Sequence, residues 1–114
     1  MGREKDVKKV VKDYLTTVSK RIKVEKAILF GSWARGDNLQ DSDIDLVVIS
    51  PDFEDMSLEE RLTLLERFWD FKKYGYSIEA FGYTAEEFRK LRRYSLTIKD
   101  ALQYGIVVHP ASKQ

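Results

Sequence analysis

Apolar residues recur at Val7, Val10, Val11, Tyr14, Val18 and Ile22, mostly in steps of three and four, and lysines fill the opposite face. That period predicts an amphipathic helix whose stripe faces a core. The pattern then becomes continuous. Val24 to Phe30 ends in the run Ala27-Ile28-Leu29-Phe30 and is stopped by Gly31, which predicts a buried strand. Residues 32 to 42 are polar and hold Gly36, Asp37 and Asn38, a turn-rich connection. Asp43 to Ile49 is a second strand, ended by Ser50 and Pro51, since proline has no amide to give a ladder.

Ser57-Leu58-Glu59-Glu60 opens a helix with a capping box: the serine hydroxyl covers a free amide and Glu60 reaches back. The apolar stripe of this helix reads Leu58, Leu62, Leu65 and Trp69, with Phe68 beside it, and Gly75 closes the region. Ser77 to Phe81 is a third short strand. Thr84-Ala85-Glu86-Glu87 is a second capping box, starting a helix with Phe88 and Leu91 inward. A last helix over 97–104 stops at Gly105, the residue suited to a left-handed cap, and Ile106-Val107-Val108 adds a fourth strand. The order αβ(α)βαβααβ is that of an α/β (α+β) domain with helices packed on a small sheet. The link between the first two strands is short enough for antiparallel pairing, but the pattern leaves strand direction open.

A length of 114 residues predicts a single domain spanning 1–114, with one sizeable core. A formal net charge of +1 argues against a generic polyanion binder, whose affinity rests on a basic excess. The absence of cysteine excludes disulfides, thiolate catalysis and cysteine zinc sites, and the single histidine, His109, excludes a histidine cage. No apolar run is long enough for a bilayer, and the charged N-terminus lacks the core of a signal peptide. The expectation is a soluble, cytoplasmic protein without a membrane partner.

Chemistry concentrates in Gly31-Ser32-Trp33-Ala34-Arg35-Gly36 and in Ser42-Asp43-Ile44-Asp45-Leu46. Side chains two apart on a strand share a face, so Asp43 and Asp45 would stand together while Ile44 and Leu46 enter the core. Two carboxylates that close repel unless a cation neutralises them, and magnesium is a hard cation bound through carboxylates and substrate phosphates. Gly31 and Ser32 follow a buried strand, where glycine allows close approach of a phosphate and serine adds a hydroxyl. Arg35 offers a bidentate phosphate contact. The run from Asp41 mimics the start of a calcium-binding EF-hand loop. Leu46 and Asp52 stand where that loop needs glycine and glutamate, so this reading fails. Trp33 is expected to pack rather than stack on a base, and Arg89-Lys90-Leu91-Arg92-Arg93 to be a solvated helix face.

Gly-Ser, ten residues, then Asp-x-Asp resembles the signature of the DNA polymerase β-like nucleotidyltransferase superfamily. The fuller run from Gly31 to Leu46 is similar to the minimal nucleotidyltransferases of prokaryotes, small domains often paired as antitoxins with a HEPN-domain toxin. The resemblance implies the polymerase β-like fold, a small mixed sheet with flanking helices. It implies that Gly31 and Ser32 hold the triphosphate and that Asp43 and Asp45 bind metal. Glu79 takes the place of a third carboxylate, where the family usually has aspartate. Arg35 matches the family's Arg-Gly step, with phosphate contact and loop bracing both open.

The implied activity uses two magnesium ions and ATP as donor. It moves AMP onto a hydroxyl, a tyrosine of a HEPN-type partner being the leading acceptor. Homo-oligomerisation, or another helical substrate-binding subunit, would also complete the site. Two other readings stay open. The chain would be a nucleotide-binding interaction subunit of weak catalytic power, or an enzyme adding nucleotides to RNA. The near-zero net charge argues against the second.

Overall fold

The computed structural model describes residues 3–36 and 42–110, so the turn expected at Asp37 and Asn38 lies outside the described residues. Helix α1 spans Arg3–Val18 and buries Val7, Val11, Tyr14, Leu15 and Val18; of the rest of the expected stripe, Val10 is half-buried and Ile22 is buried beyond the end of the helix. Strand β1, Lys26–Phe30, runs into the one-turn helix α2, Ser32–Arg35. Strand β2, Ile44–Ile49, leads through a 3-10 turn at Pro51–Phe53 to α3, Leu58–Arg67, and the short α4, Phe71–Tyr74. Then come β3, Ile78–Tyr83, α5, Ala85–Leu91, α6, Leu96–Tyr104, and β4, Ile106–His109. Both predicted capping boxes form, Ser57 with Glu60 and Thr84 with Glu87.

The sheet order is β3-β2-β1-β4. β1 is antiparallel to β2 and to β4, while β2 and β3 are parallel, so the sheet is mixed. Its two faces carry separate cores. Ile44, Leu46 and Val48 of β2, with Ala27 and Leu29 of β1, pack against α1, Leu65 of α3 and Trp33. Val47 and Ile49, with Ile28 and Phe30, pack against Phe88 of α5 and Ile98 and Ala101 of α6. The period of two along β2 thus divides its side chains between two helical layers.

Two expectations are corrected. Only part of the stripe expected for α3 faces inward: Leu65 is buried and Phe68 and Trp69, just past the helix, pack on the same core, whereas Leu58 and Leu62 are exposed and line an open groove of about 340 Å³ with Ala80, Phe81, Gly82 and Tyr83. The inward row is Arg61 and Leu65. Arg61 donates to the Phe53, Gly82 and Met56 carbonyls and pairs with Glu87 at 2.7 Å, so a buried cation closes part of the β3 edge. A hydrophobic pattern cannot register a charge satisfied this way. The second correction concerns Gly105, which is extended (φ −69°, ψ 152°) and not a left-handed cap. Its reason is space: a Cβ there would collide with the Ala101 carbonyl oxygen and the Ile28 side chain.

Candidate active site

The site is built where β1 ends and β2 begins. The apolar run of β1 carries the chain out of the core at Gly31, which has φ +75°. A side chain there would also strike Asp45 Oδ2, so glycine is required on two counts, backbone conformation and space. The chain then coils into α2, whose Trp33 is buried, as its packing role requires. The Trp33 indole donates to the Ser42 carbonyl at 2.9 Å and meets the Tyr76 ring edge-on at 5.5 Å. That bond ties the Gly-Ser segment to the residues just before β2. Gly36 ends the turn in the left-handed conformation.

Asp45 lies on β2 in register with Phe30 of β1 and with Glu79 of β3. It belongs to the face of Val47 and Ile49, while its neighbours Ile44 and Leu46 are wholly buried on the other, as the alternation predicts. Burial pushes the Asp45 carboxyl up to about 6, and the charge and hydrogen bond of Glu79 add to this. Asp43 contributes a smaller repulsion, and Arg35 opposes all three. Asp43 itself precedes the strand and is exposed. The structure therefore brings Asp45 and Glu79 into contact, with Asp43 and Arg35 close enough to act on them through charge. Among the described residues no three acidic or histidine side chains are drawn together tightly enough to cage a metal ion by themselves. The pair is still a fitting cation site, since like carboxylates in contact lose their repulsion when a divalent ion bridges them.

One residue of this region has no signal in the sequence. Asp100, on α6, accepts the Gly31 amide hydrogen through Oδ2 at 3.2 Å. Its Oδ1 lies 3.0 Å from Nη1 of Arg35. It belongs to no motif and is separated from Gly31 by 69 positions, and in the helix pattern it reads as an ordinary polar-face residue. The other residues set aside earlier stay apart. Arg89, Lys90, Arg92 and Arg93 line a separate basic concavity with Tyr94.

Comparison with known proteins agrees with this geometry. The family model described as "Nucleotidyltransferase domain" matches residues 11–108. "Putative protein adenylyltransferase MJ0604" of Methanocaldococcus jannaschii is 33% identical over 109 residues, covering 96% of this chain and all of that protein. A second protein of the same organism, "Putative protein adenylyltransferase MJ1379", is 33% identical over 54% of this chain and 61% of its own length. A Sulfolobus solfataricus structure described as a "putative nucleotidyltransferase" superposes with a TM-score of 0.66 at 22% identity, covering 91% of this chain and 80% of that one. A toxin-antitoxin structure with AMP-PNP gives a TM-score of 0.57 at 16% identity, covering 85% and 71%. The two structural likenesses establish a shared fold. With the family model spanning nearly the whole chain, this protein belongs to the nucleotidyltransferase domain family and is a nucleotidyltransferase.

Proposed function

We propose that this chain transfers AMP from ATP to a tyrosine hydroxyl of a HEPN-type toxin partner and so acts as an antitoxin. The observation that carries the reading is the contact between Asp45 and Glu79 at the strand ends, beside Gly31 and Arg35. The Methanocaldococcus jannaschii relative supports a protein acceptor through its name, "Putative protein adenylyltransferase MJ0604". The toxin-antitoxin neighbour supports a two-component setting and contains AMP-PNP.

In this reading Gly31 and Ser32 seat the triphosphate and Arg35 neutralises part of its charge. Asp43, Asp45 and Glu79 would hold two magnesium ions, which supply charge that activates the acceptor hydroxyl and stabilises the leaving group. The acceptor oxygen forms a bond to the α-phosphorus as the bond from that phosphorus to the bridging oxygen breaks. Pyrophosphate leaves and an AMP ester remains. Because Asp45 and Glu79 repel each other when both are charged, a bound cation would offset that repulsion. The half-buried Trp33–Ser42 bond links the two halves of the site.

The test is transfer of label from α-labelled ATP, with GTP, CTP and UTP alongside, to a HEPN-type protein from the same genome, in magnesium. Label on a partner tyrosine, lost with Asp45→Asn, is the expected result. Nucleotide binding without transfer would support the reading as a binding subunit, and label entering RNA would replace the protein acceptor with a nucleic-acid one.

A further inference from the structure

We propose that Asp100 occupies the triphosphate cradle in the nucleotide-free protein, is displaced when the donor binds, and thereby sets donor affinity. This rests on the reading of Gly31 and Arg35 as phosphate-holding groups. The Asp100 carboxylate gives one oxygen to each of them, Oδ2 to the Gly31 amide at 3.2 Å and Oδ1 to Arg35 Nη1 at 3.0 Å. An amide and a guanidinium held together by one anion are the donor pair that a phosphate uses, and a phosphate brings more charge and more acceptor oxygens to the same pair.

The surroundings favour movement of the side chain over movement of the helix. Ile98 and Ala101, on either side of Asp100, are buried against Ile28, Phe30, Val47 and Ile49, which fixes α6 on the sheet. Gly105 lets the end of that helix close onto Ile28. The Asp100 side chain, in contrast, is 27% exposed and Arg35 is 35% exposed, so the carboxylate reaches water by rotation about its own bonds. Charge points the same way. Asp45 Oδ2 lies on the strand side of Gly31, in the space a side chain there would need, while Asp100 holds its amide, so an incoming triphosphate meets carboxylates on both flanks of the glycine. Releasing an exposed pair of this kind costs little, whereas keeping it beside a polyanion is unfavourable.

A bracing role and an occupying role differ in sign. If Asp100 only braced the loop, its loss would weaken nucleotide binding. If it occupies the cradle, its loss strengthens it. The experiment is calorimetric titration of the full chain and of Asp100→Asn and Asp100→Ala with magnesium ATP and with magnesium tripolyphosphate. Both variants should bind both probes about three- to tenfold more tightly, because the relieved competition lies at the phosphates. Unchanged or weaker binding by the variants, with normal binding by the parent chain, overturns the proposal and leaves the nucleotide reading standing. Failure of the parent and of both variants to take up either probe overturns both. A second measurement needs no variant: the carboxyl carbon resonance of Asp100 should move to the position of a solvated aspartate at saturating tripolyphosphate. A resonance that stays in place overturns the proposal.

Discussion

The two faces of the sheet are built from the same strands and serve different ends. On the α1 side every inward residue of β2, Ile44, Leu46 and Val48, is wholly buried, and the layer continues through Tyr14, Leu15 and Trp33. On the α5–α6 side the row Ile49, Val47 begins as core and ends at Asp45, which lies between Phe30 of β1 and Glu79 of β3. One face spends its positions on burial. The other ends in two carboxylates set together, and burial first, then Glu79, raises the Asp45 carboxyl to about 6. The candidate site is therefore no addition to the fold: it is the last step of an alternation that elsewhere makes core.

Substitutions should separate the faces. The largest effect is expected from Asp45→Asn, which should lower nucleotidyl transfer on the order of a hundred- to a thousandfold while the protein stays folded. Transfer assays together with thermal melting would expose the split, and an active variant would remove Asp45 from the chemistry. On the other face Leu46→Ala should cost about 2–5 kcal/mol of stability, read by urea unfolding, with the folded fraction still transferring nucleotide. A loss of activity without a loss of stability there would erase the distinction between the faces.

A smaller effect carries the opposite sign. Asp45 has its folded pKa raised from 3.8 to about 6, so the folded state binds the proton more tightly than the unfolded chain does between those values. Stability therefore falls as pH rises from about 4 to about 6 and stays lower above that window. Solvent screening discounts the full shift. In the absence of metal, Asp45→Asn should thus be more stable than the parent by about 1–2 kcal/mol at pH 7, the difference vanishing below about pH 4. Magnesium should stabilise the parent and not the variant, and its binding to the parent should weaken below about pH 6, as the proton competes. The smallest effect is expected at Leu58. It is exposed in spite of its place in the apparent stripe, so Leu58→Ser should change stability by no more than about 0.5 kcal/mol. A loss of 2 kcal/mol or more, as for a buried leucine, would restore the stripe read from the sequence.

Local signals in the chain determined much of this protein. The capping boxes at Ser57 and Thr84 act within one helical turn, and the alternation along β2 assigns Ile44 and Leu46 to a core whatever lies beyond. The Gly-Ser and Asp-x-Asp pair likewise marks the candidate site, because one part follows the end of β1 and the other spans the start of β2, its neighbour in the sheet. The packed fold alone decided the rest. Strand direction depends on which edges meet, and nothing in β2 or β3 separately states that they run parallel. Arg61 reads as a surface residue until the Gly82 and Phe53 carbonyls and Glu87 close around it. Asp100 reads as a polar helix position until α6 lies on β1 and brings it to Gly31 and Arg35. Periodicity and caps are properties of near neighbours and survive in the sequence. A contact between residues far apart in the chain exists only once hydrophobic packing has fixed the helices on the sheet, and a polar residue carries no mark of the partner it will meet there.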